Sequence, residues 1–463
     1  MRRILAISFG SVSLVCTTAG LAQTSNETGS PGNGKADLVF GESEMVFDET
    51  AAPAAEPESS GQGTAPAKQE AVKSFWAENI RAPMRITLAQ EASYKLESPD
   101  YIVKNRSSAR LEYSKYFLDH FFLQLDAKST AFLREDHRHD AEGTDTRVSQ
   151  AYVQGTFKQT SINAGLQTIA WGESILAPIT DEVSPRDNRE AFNFNLEELR
   201  IGQPMLTVDQ YSAAGRWSAF FTPDASFNKN PERGSAYYVN PFGDDVRIIK
   251  GAQPNGGKAE YGASWRKSFG SADFSVVAAS LIDNDYALRR DDAGRIVQEQ
   301  TRYSLSGMTF SYAIRKFLVK GEMGIKSGKA YTDALLQIVK KDAVDSYLGL
   351  EYRHSASLSL GVEAINQHVA GWESDIQSAP RDRQSLLLTL NKLMLNDDLS
   401  INVLNFYNRP NSSMLTMLLT SFKWNDNLTL GLNAIYPYTD DEQSPLWSLR
   451  DQKQLVFRVQ YQF

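Results

Sequence analysis

The sequence predicts an all-β protein, a transmembrane antiparallel up-and-down β-barrel with a disordered N-terminal leader. Its last nine residues alternate between a mostly polar face and an apolar face formed by Leu455, Phe457, Val459, Tyr461 and Phe463. Past the N-terminal segment, no stretch carries the run of about 20 apolar residues that a membrane helix needs. A barrel strand exposes only alternate residues to lipid, so a membrane fold is compatible with the mean hydropathy of −0.38.

An N-terminal export signal supports this membrane destination. Two arginines precede an apolar run at residues 4–21, which ends in the small-x-small cleavage pattern Gly20-Leu21-Ala22. We therefore predict a secretory signal peptide at residues 1–22. Serine, glycine and threonine interrupt the run, which makes a membrane anchor the poorer interpretation. Cys16 is the only cysteine, and Val15 stands before it where a lipoprotein signal needs a small residue.

Residues 23–75 differ in composition from the rest of the chain. They are rich in Gly, Pro, Ser, Ala and Glu and cannot bury enough apolar surface to offset their ordering entropy. We predict a flexible periplasmic leader here and the barrel at residues 76–463. Two apolar islands, Leu38-Val39-Phe40 and Met45-Val46-Phe47, lie within the leader. They are either incidental or part of a segment, residues 37–49, that docks on a periplasmic partner or on the barrel mouth.

The C-terminal strand resembles the signal by which bacterial outer-membrane barrels are recognised and inserted, with Tyr461 and Phe463 as its aromatic residues. The resemblance implies the outer membrane of a Gram-negative bacterium as the location. It also implies outer-membrane lipid and the barrel-insertion machinery as partners. The formal net charge of −8 argues against nucleic acid as a partner.

Amphipathic segments separated by alternating short and long connections predict about 18 strands, an even number as in single-chain bacterial barrels. Sixteen strands remain an alternative. The predicted strands are 84–96, 106–117, 121–135, 145–158, 161–172, 204–213, 215–223, 258–268, 271–283, 300–315, 317–327, 343–354, 356–368, 383–395, 398–408, 413–424, 427–437 and 452–463.

Two of these strands break the simple alternation. Tyr303 and Leu305 share one parity, whereas Met308, Phe310 and Tyr312 share the other, so we predict a bulge near Gly307. Residues 414–419 are apolar on both faces, which leaves the register of that strand open.

The connection at residues 173–203 is long and carries both signs of charge together with Phe192 and Phe194. It follows the fifth strand, as does the loop that folds into the lumen of general porins, so we predict an inward constriction loop. A solvated surface loop is the alternative. The residues predicted to form or fix the constriction are Trp171, Glu173, Asp181, Glu182, Arg186, Asp187, Arg189, Glu190 and Arg200.

A family resemblance rests on the strand Gly165-Leu-Gln-Thr-Ile-Ala-Trp-Gly-Glu173 and the following Ser184-Pro-Arg-Asp187. This pattern resembles the uncharacterised outer-membrane family of the DUF1302 type. The general layout is similar to that of alginate-export barrels. The resemblance implies a transport barrel without assigning a substrate, and it implies that Trp171, Gly172 and Asp187 help to fix the loop.

Strand parity places charged residues of both signs inside the barrel. Because a ring of one sign would set strong selectivity, we predict a weakly selective channel for small polar solutes, zwitterions or saccharides. Aromatic residues near strand ends, including Trp217, Tyr237 and Trp372, are predicted to form the interfacial girdle. The predicted pore-lining residues are Arg110, Glu112, Asp126, Lys128, Arg134, Glu351, Arg353 and Arg458.

Two other classes of function are alternatives to a channel. A polysaccharide-export or assembly component of an envelope machine would use the leader to recruit partners. An outer-membrane enzyme is the more remote alternative, because no Gly-x-Ser-x-Gly nucleophile motif is present. His137 and His139 lie in an acidic cluster of metal-like composition, which we interpret as a solvated loop. No catalytic residue, metal or cofactor is therefore predicted.

Overall fold

The computed structural model describes residues 81–118, 120–134, 141–174, 178–193, 196–243, 246–251 and 257–463, without the side chains of 132–134, 141–142 and 196–197. The predicted signal peptide, the leader with its segment 37–49, and both His137 and His139 lie outside the described residues. No helix in the described part of the chain is long and apolar enough to span a membrane.

Eighteen antiparallel strands form one sheet, and the first strand pairs with the last, so the sheet closes into a barrel. This confirms the predicted fold and strand count and excludes sixteen strands. The barrel strands are β1 Met84–Lys95, β2 Ile102–Phe117, β3 Phe121–Arg134, β4 Ala141–Phe157, β5 Thr160–Gln167, β6 Gln203–Ser212, β7 Gly215–Thr222, β9 Glu260–Phe269, β10 Ala272–Ile282, β13 Arg302–Ile314, β14 Phe317–Thr332, β15 Ile338–Ser355, β16 Leu358–Ala370, β17 Asp382–Met394, β18 Leu399–Arg409, β19 Ser413–Lys423, β20 Leu428–Tyr438 and β21 Gln454–Gln462.

The two ends of the barrel differ in their connections. At one end, which we call the turn end, eight connections have two to four residues. At the other, the loop end, nine connections range from three residues at 410–412 to 37 residues at 223–259. The alternation of short and long connections predicted from sequence is therefore present, although two loop-end connections are short.

A second, smaller sheet lies at the loop end. It contains β8 Ile248–Lys250, β11 Ala287–Arg290 and β12 Ile296–Glu299, with β8 parallel to β12 and β11 antiparallel to it. This sheet joins the connection 223–259 to the connection 283–301. The four-residue helix α1, Leu196–Leu199, lies in the connection between β5 and β6. Sequence alternation did not predict these three short strands.

The outward face of the barrel is apolar, as predicted. On β21, Phe457, Val459 and Tyr461 expose 53%, 45% and 40% of their surface, whereas Val456, next to Phe457, points inward and is buried. On β20, Leu432 is exposed and Ile435 is buried inside. The alternation of the strands therefore sorts side chains between an apolar outer surface and the interior.

The predicted bulge near Gly307 is wrong. β13 keeps an uninterrupted register with β10 and with β14 through Gly307. Tyr303 and Leu305 simply face inward, where they are buried in a cluster with Val183 from the β5–β6 connection. The parity argument failed because it assumed that apolar side chains must face lipid, whereas an apolar partner was present inside.

The interior also contains a larger apolar cluster beside β17–β21. Leu415 and Met417 are fully buried on the inward face of β19, and β19 pairs with β18 without a register shift. The register that sequence analysis left open for this strand is therefore regular. Loop-end connections contribute Phe192, Tyr237 and Leu446 to this cluster. The predicted girdle position is wrong for Tyr237, which is buried, but Trp217 is exposed on the outer face.

Candidate functional site

The connection of residues 168–202, here called the β5–β6 loop, begins within the family-like motif, since β5 ends at Gln167. Gln167 is buried and its Nε2 donates to the carbonyl oxygen of Met205 at 2.8 Å. The hydroxyl of Ser184 bonds both backbone groups of Ile169, at 2.8 and 2.9 Å. The indole of Trp171 packs edge-on against Phe220 with ring centroids 5.7 Å apart. These contacts fix the start of the loop against β6 and β7 and bind it to Ser184.

Two inward carboxylates of the barrel wall bind the first part of the loop. Glu322 on β14 accepts hydrogen bonds from the backbone N–H of Glu173, at 3.0 Å, and from the N–H and hydroxyl of Thr180, at 2.5 and 2.7 Å. Glu363 on β16 accepts from the hydroxyl of Ser174 at 3.1 Å. Gly172 adopts φ +101°, and a Cβ there would lie 2.8 Å from the Glu322 carboxylate. A glycine is therefore required at this approach.

Asp181 organises the interior of the loop. Its carboxylate is almost completely buried and accepts from the guanidinium groups of Arg186 and Arg200, at 3.1 and 2.9 Å. Its other oxygen accepts from the backbone N–H of Trp171 at 3.1 Å. Asp181, Arg186 and Arg200 thus hold the loop together through two ion pairs that share one carboxylate.

Glu182 binds the barrel wall on the same side as Glu322. Its carboxylate lies 2.7 Å from the Lys326 ammonium and accepts from the Tyr303 hydroxyl at 2.9 Å. Burial opposes ionisation of Glu182, but the charges of Lys326 and Lys329 outweigh it and lower its pKa to about 2. Glu182 is therefore ionised at neutral pH.

The later part of the loop faces a basic wall formed by β2, β3 and β21. Glu190 binds the Lys104 ammonium at 3.0 Å and the Arg106 guanidinium at 2.8 Å. Glu198 binds Lys128 at 2.6 Å and lies 3.6 Å from Arg458. Burial of Glu198 opposes ionisation, but the charges of Lys128 and Arg458 lower its pKa to about 2.

Arg189 continues this ion-pair array towards β4. Its guanidinium contacts Asp145 at 2.7 Å and Asp187 at 2.5 Å, and Asp187 also lies 3.6 Å from Arg147. Between the loop and this wall remains a cavity of about 60 Å³, which holds only a few water molecules. Arg189 lines this small cavity and also a much larger one, of about 2810 Å³, at the loop end.

The loop also has an apolar contact with the interior. Phe192 is buried, and its ring packs perpendicular to Tyr237 with centroids 5.7 Å apart. Both residues belong to the cluster that includes Leu387 and Met417 on the inner wall. The phenylalanine that sequence analysis singled out at 192 thus packs inside the protein.

The predicted pore-lining residues with described side chains lie on inward strand faces, but several are already paired. Arg110 and Asp126 form a two-point ion pair with both distances 2.8 Å, and Glu112 lies 3.4 Å from Arg110. Lys128 and Arg458 bind Glu198, as described above. Glu351 and Arg353 share the inward face of β15, nearer the turn end. The side chain of Arg134 lies outside the described residues.

At the C-terminus, the backbone N–H of Phe463 donates to the carbonyl oxygen of Ile86 at 2.9 Å. The rings of Tyr461 and Phe463 contact each other edge-on, 4.7 Å apart, on the outer face. Their role as an assembly signal stays a prediction.

The profile of a family described as "Protein of unknown function (DUF1302)" matches residues 75–463. The chain belongs to this family. No curated protein matches it significantly in sequence. The similarity in general layout to alginate-export barrels stays a prediction.

Solved structures with the same fold are outer-membrane porins. Acinetobacter baumannii OccAB1 is 9% identical with a TM-score of 0.52, and the match covers 82% of this chain and 96% of that one. Pseudomonas aeruginosa OccK8 (OprE) is 9% identical with a TM-score of 0.51, covering 82% and 97%. P. aeruginosa OccK5 (OpdH) is 9% identical with a TM-score of 0.50, covering 82% and 98%. At such low identity these likenesses establish the fold.

Several residues of this site escaped sequence analysis. Lys104 fell outside the predicted strands, although it continues the inward parity of β2. Arg147 lay inside a predicted strand but received no role, because a register shift beside Ser149 changes the inward parity of β4. Glu322 was given no role, because nothing local to β14 indicates that a loop distant in sequence will bind it. Among the described residues, no group of three His, Cys, Asp or Glu side chains could hold a metal ion.

Proposed function

We propose that this protein is an outer-membrane channel for small polar solutes, narrowed by the β5–β6 loop. The apolar outer face supports a lipid environment. The closed barrel is compatible with that environment, because it satisfies its backbone hydrogen bonds internally. Barrels of 16–18 strands are wide enough to leave an aqueous channel. The shared fold with outer-membrane porins agrees with this assignment.

One observation supports the proposal that the β5–β6 loop narrows the lumen. The loop contacts β2 through Glu190 and β14 through Glu173 and Thr180. In the closed order of 18 strands, β2 is the second and β14 the eleventh, so they lie on opposite sides of the barrel. A segment that binds two opposite walls passes through the interior. A solvated surface loop would not make these contacts.

Planar-bilayer recordings of the full-length protein test the proposal. We expect stepwise conductance, and a larger step for the double variant Glu190→Gln, Glu198→Gln, which removes the charges that hold the loop to the basic wall. Glu112→Gln is the matched control, because Glu112 is an inward carboxylate whose ion partner is on the barrel wall. Absence of conductance in all three proteins would contradict the channel. Equal steps in all three would contradict the constriction.

A further inference from the structure

The larger cavity at the loop end has a distinct construction, and we call it the vestibule. It holds about 2810 Å³ and is open to solvent. Its walls come from the connection 223–259, the small sheet of β8, β11 and β12, and residues 332–337 and 377–378. The vestibule is thus built almost entirely from loop-end connections and not from the barrel strands.

The vestibule concentrates positive charge in a chain whose net charge is −8. Among the described residues, its acidic lining residues are Asp224, Glu232 and Asp333. Its basic lining residues are Arg189, Lys229, Arg233, Arg247, Lys250, Lys258, Arg290 and Arg295. A cleft lined mainly by one sign of charge focuses the field and raises the local concentration of ions of the opposite sign.

Most of these cations have no ion-pair partner within the part of the chain that the structure describes. Lys258 faces Asp224, Arg295 pairs with Asp291, and Arg189 is paired as described above. The remaining five make no side-chain hydrogen bond or ion pair with any residue that the structure describes: Lys229, Arg233, Arg247, Lys250 and Arg290. No described side chain therefore holds these five cations in an ion pair that a ligand would have to break.

Apolar side chains alternate with these cations. Phe227, Tyr238, Phe242 and Tyr286 line the vestibule, together with aliphatic residues of β8 and the turn at 335–336. Ligand sites combine apolar surface with a few polar groups that fix orientation. A wall with both cations and aromatic rings suits an anion that has an organic part better than it suits an inorganic ion.

We infer that the vestibule binds small organic anions and delivers them to Arg189 at the entrance of the constriction. This inference rests on the proposed channel function and names the class of solute. Arg189 lines both cavities, so it is the first cation that an anion meets between them. The anion competes there with Asp145 and Asp187 for the guanidinium.

Two measurements on the full-length protein test the inference, with benzoate as the probe and benzylamine as its cationic counterpart. Calorimetry on the detergent-folded barrel should detect binding of benzoate and not of benzylamine. In bilayers, reversal potentials should show anion preference at 0.1 M salt that fades at 1 M. The reason is that the Debye length falls from about 10 Å to about 3 Å.

The double variant Arg247→Gln, Arg290→Gln should weaken benzoate binding roughly tenfold, since two charge-assisted contacts are lost. The control is Arg381→Gln, Arg450→Gln, which makes the same change in net charge at the loop end outside the vestibule. This control should bind benzoate as the unmodified protein does.

The outcomes separate the two proposals. Conductance without anion preference or benzoate binding overturns the vestibule inference and leaves the channel standing. Binding that depends on Arg247 and Arg290, in a barrel that does not conduct, supports the vestibule and overturns the channel. Equal loss of binding in the variant and the control also overturns the inference, because net charge alone would then explain it.

Discussion

Single buried carboxylates decide where the β5–β6 loop lies. Glu322 accepts three hydrogen bonds from the loop, two of them from backbone N–H groups. Asp181 performs the same task within the loop for Arg186 and Arg200. A buried donor that loses its acceptor costs about 1–3 kcal/mol, so each of these carboxylates has a large local effect.

Replacing Glu322 should loosen the loop. In Glu322→Ala, the N–H groups of Glu173 and Thr180 lose their acceptor, and we expect their hydrogen exchange to accelerate about ten- to a hundredfold. Exchange followed by mass spectrometry on the folded barrel measures this. Glu351→Ala, an inward carboxylate on the neighbouring strand, should leave exchange of the loop unchanged. Unaltered exchange in Glu322→Ala would contradict the anchoring role.

The loop should also respond to strong acid. Glu182 and Glu198 have folded-state pKa values of about 2, below the ordinary 4.5. Their stabilising contribution is therefore complete above about pH 4.5 and is lost as the pH falls through about 2. We expect constant conductance from pH 7 to 4.5 and a larger one near pH 2. Glu198→Gln should shrink the acid transition, and a transition centred near pH 6 would exclude these carboxylates as its cause.

At the scale of elements, β13 and β14 provide a flat surface for the loop. Gly324 faces inward on β14, and a Cβ there would lie 2.7 Å from the Ile179 side chain. Gly307 on β13 faces Thr180 in the same way, and a Cβ there would lie 2.4 Å from the Thr180 methyl group. The two glycines allow residues 179–180 to lie against the wall.

Gly324→Val should therefore push the loop off the wall while the barrel stays closed. Trypsin added to the folded protein should then cleave after Arg186 and Arg189, which are held in ion pairs in the unmodified protein. Mass spectrometry identifies the cleavage sites. Gly431→Val is the matched control, because the nearest atom to its Cβ belongs to Thr420 on the barrel wall. Equal protection of both variants would show that the glycine is not needed.

Sequence analysis located the strands well because their period of two is a local property. It placed the end of β5 at residue 172, whereas the strand ends at Gln167 and Trp171 lies in the loop. It invoked a bulge in β13 because it could not know that Val183 would cover Tyr303 and Leu305 from inside. These errors have one origin, since the partner of an inward side chain is distant in sequence.

At the scale of the whole molecule, the barrel must present one apolar belt to lipid. Leu432 lies near the middle of β20 on the outer face and Leu428 lies on the same face at the turn end. An arginine on the lipid face costs about 2–4 kcal/mol at the bilayer midplane and about 0–1 kcal/mol near the interface.

Leu432→Arg should therefore destabilise the barrel in lipid vesicles by about 2–4 kcal/mol, and Leu428→Arg by about 1 kcal/mol or less. Urea titrations of reversible folding into vesicles measure the free energy of unfolding. Equal costs at the two positions would contradict the membrane placement proposed here, because the penalty would not depend on depth.

The inner wall of the barrel is divided into regions of different chemistry, which strand parity alone does not predict. One arc carries the basic wall of Lys104, Arg106 and Lys128, whereas another is apolar around Leu415 and Met417. Sequence analysis predicted mixed charge and weak selectivity from strand residues alone. The basic residues that prompt the anion inference lie in connections, where no periodicity indicates which side chains converge.

The sequence by itself determined the antiparallel barrel and its outward apolar face, because alternation is a property of consecutive residues, and it left the strand count between 18 and 16. It also indicated a charged loop after the fifth strand. Only the tertiary structure decided that Glu190 reaches β2, that Glu322 receives Thr180, and that β8 joins β12 beside a basic vestibule. These contacts join residues far apart in the chain, so barrel closure must bring them together before their chemistry is defined.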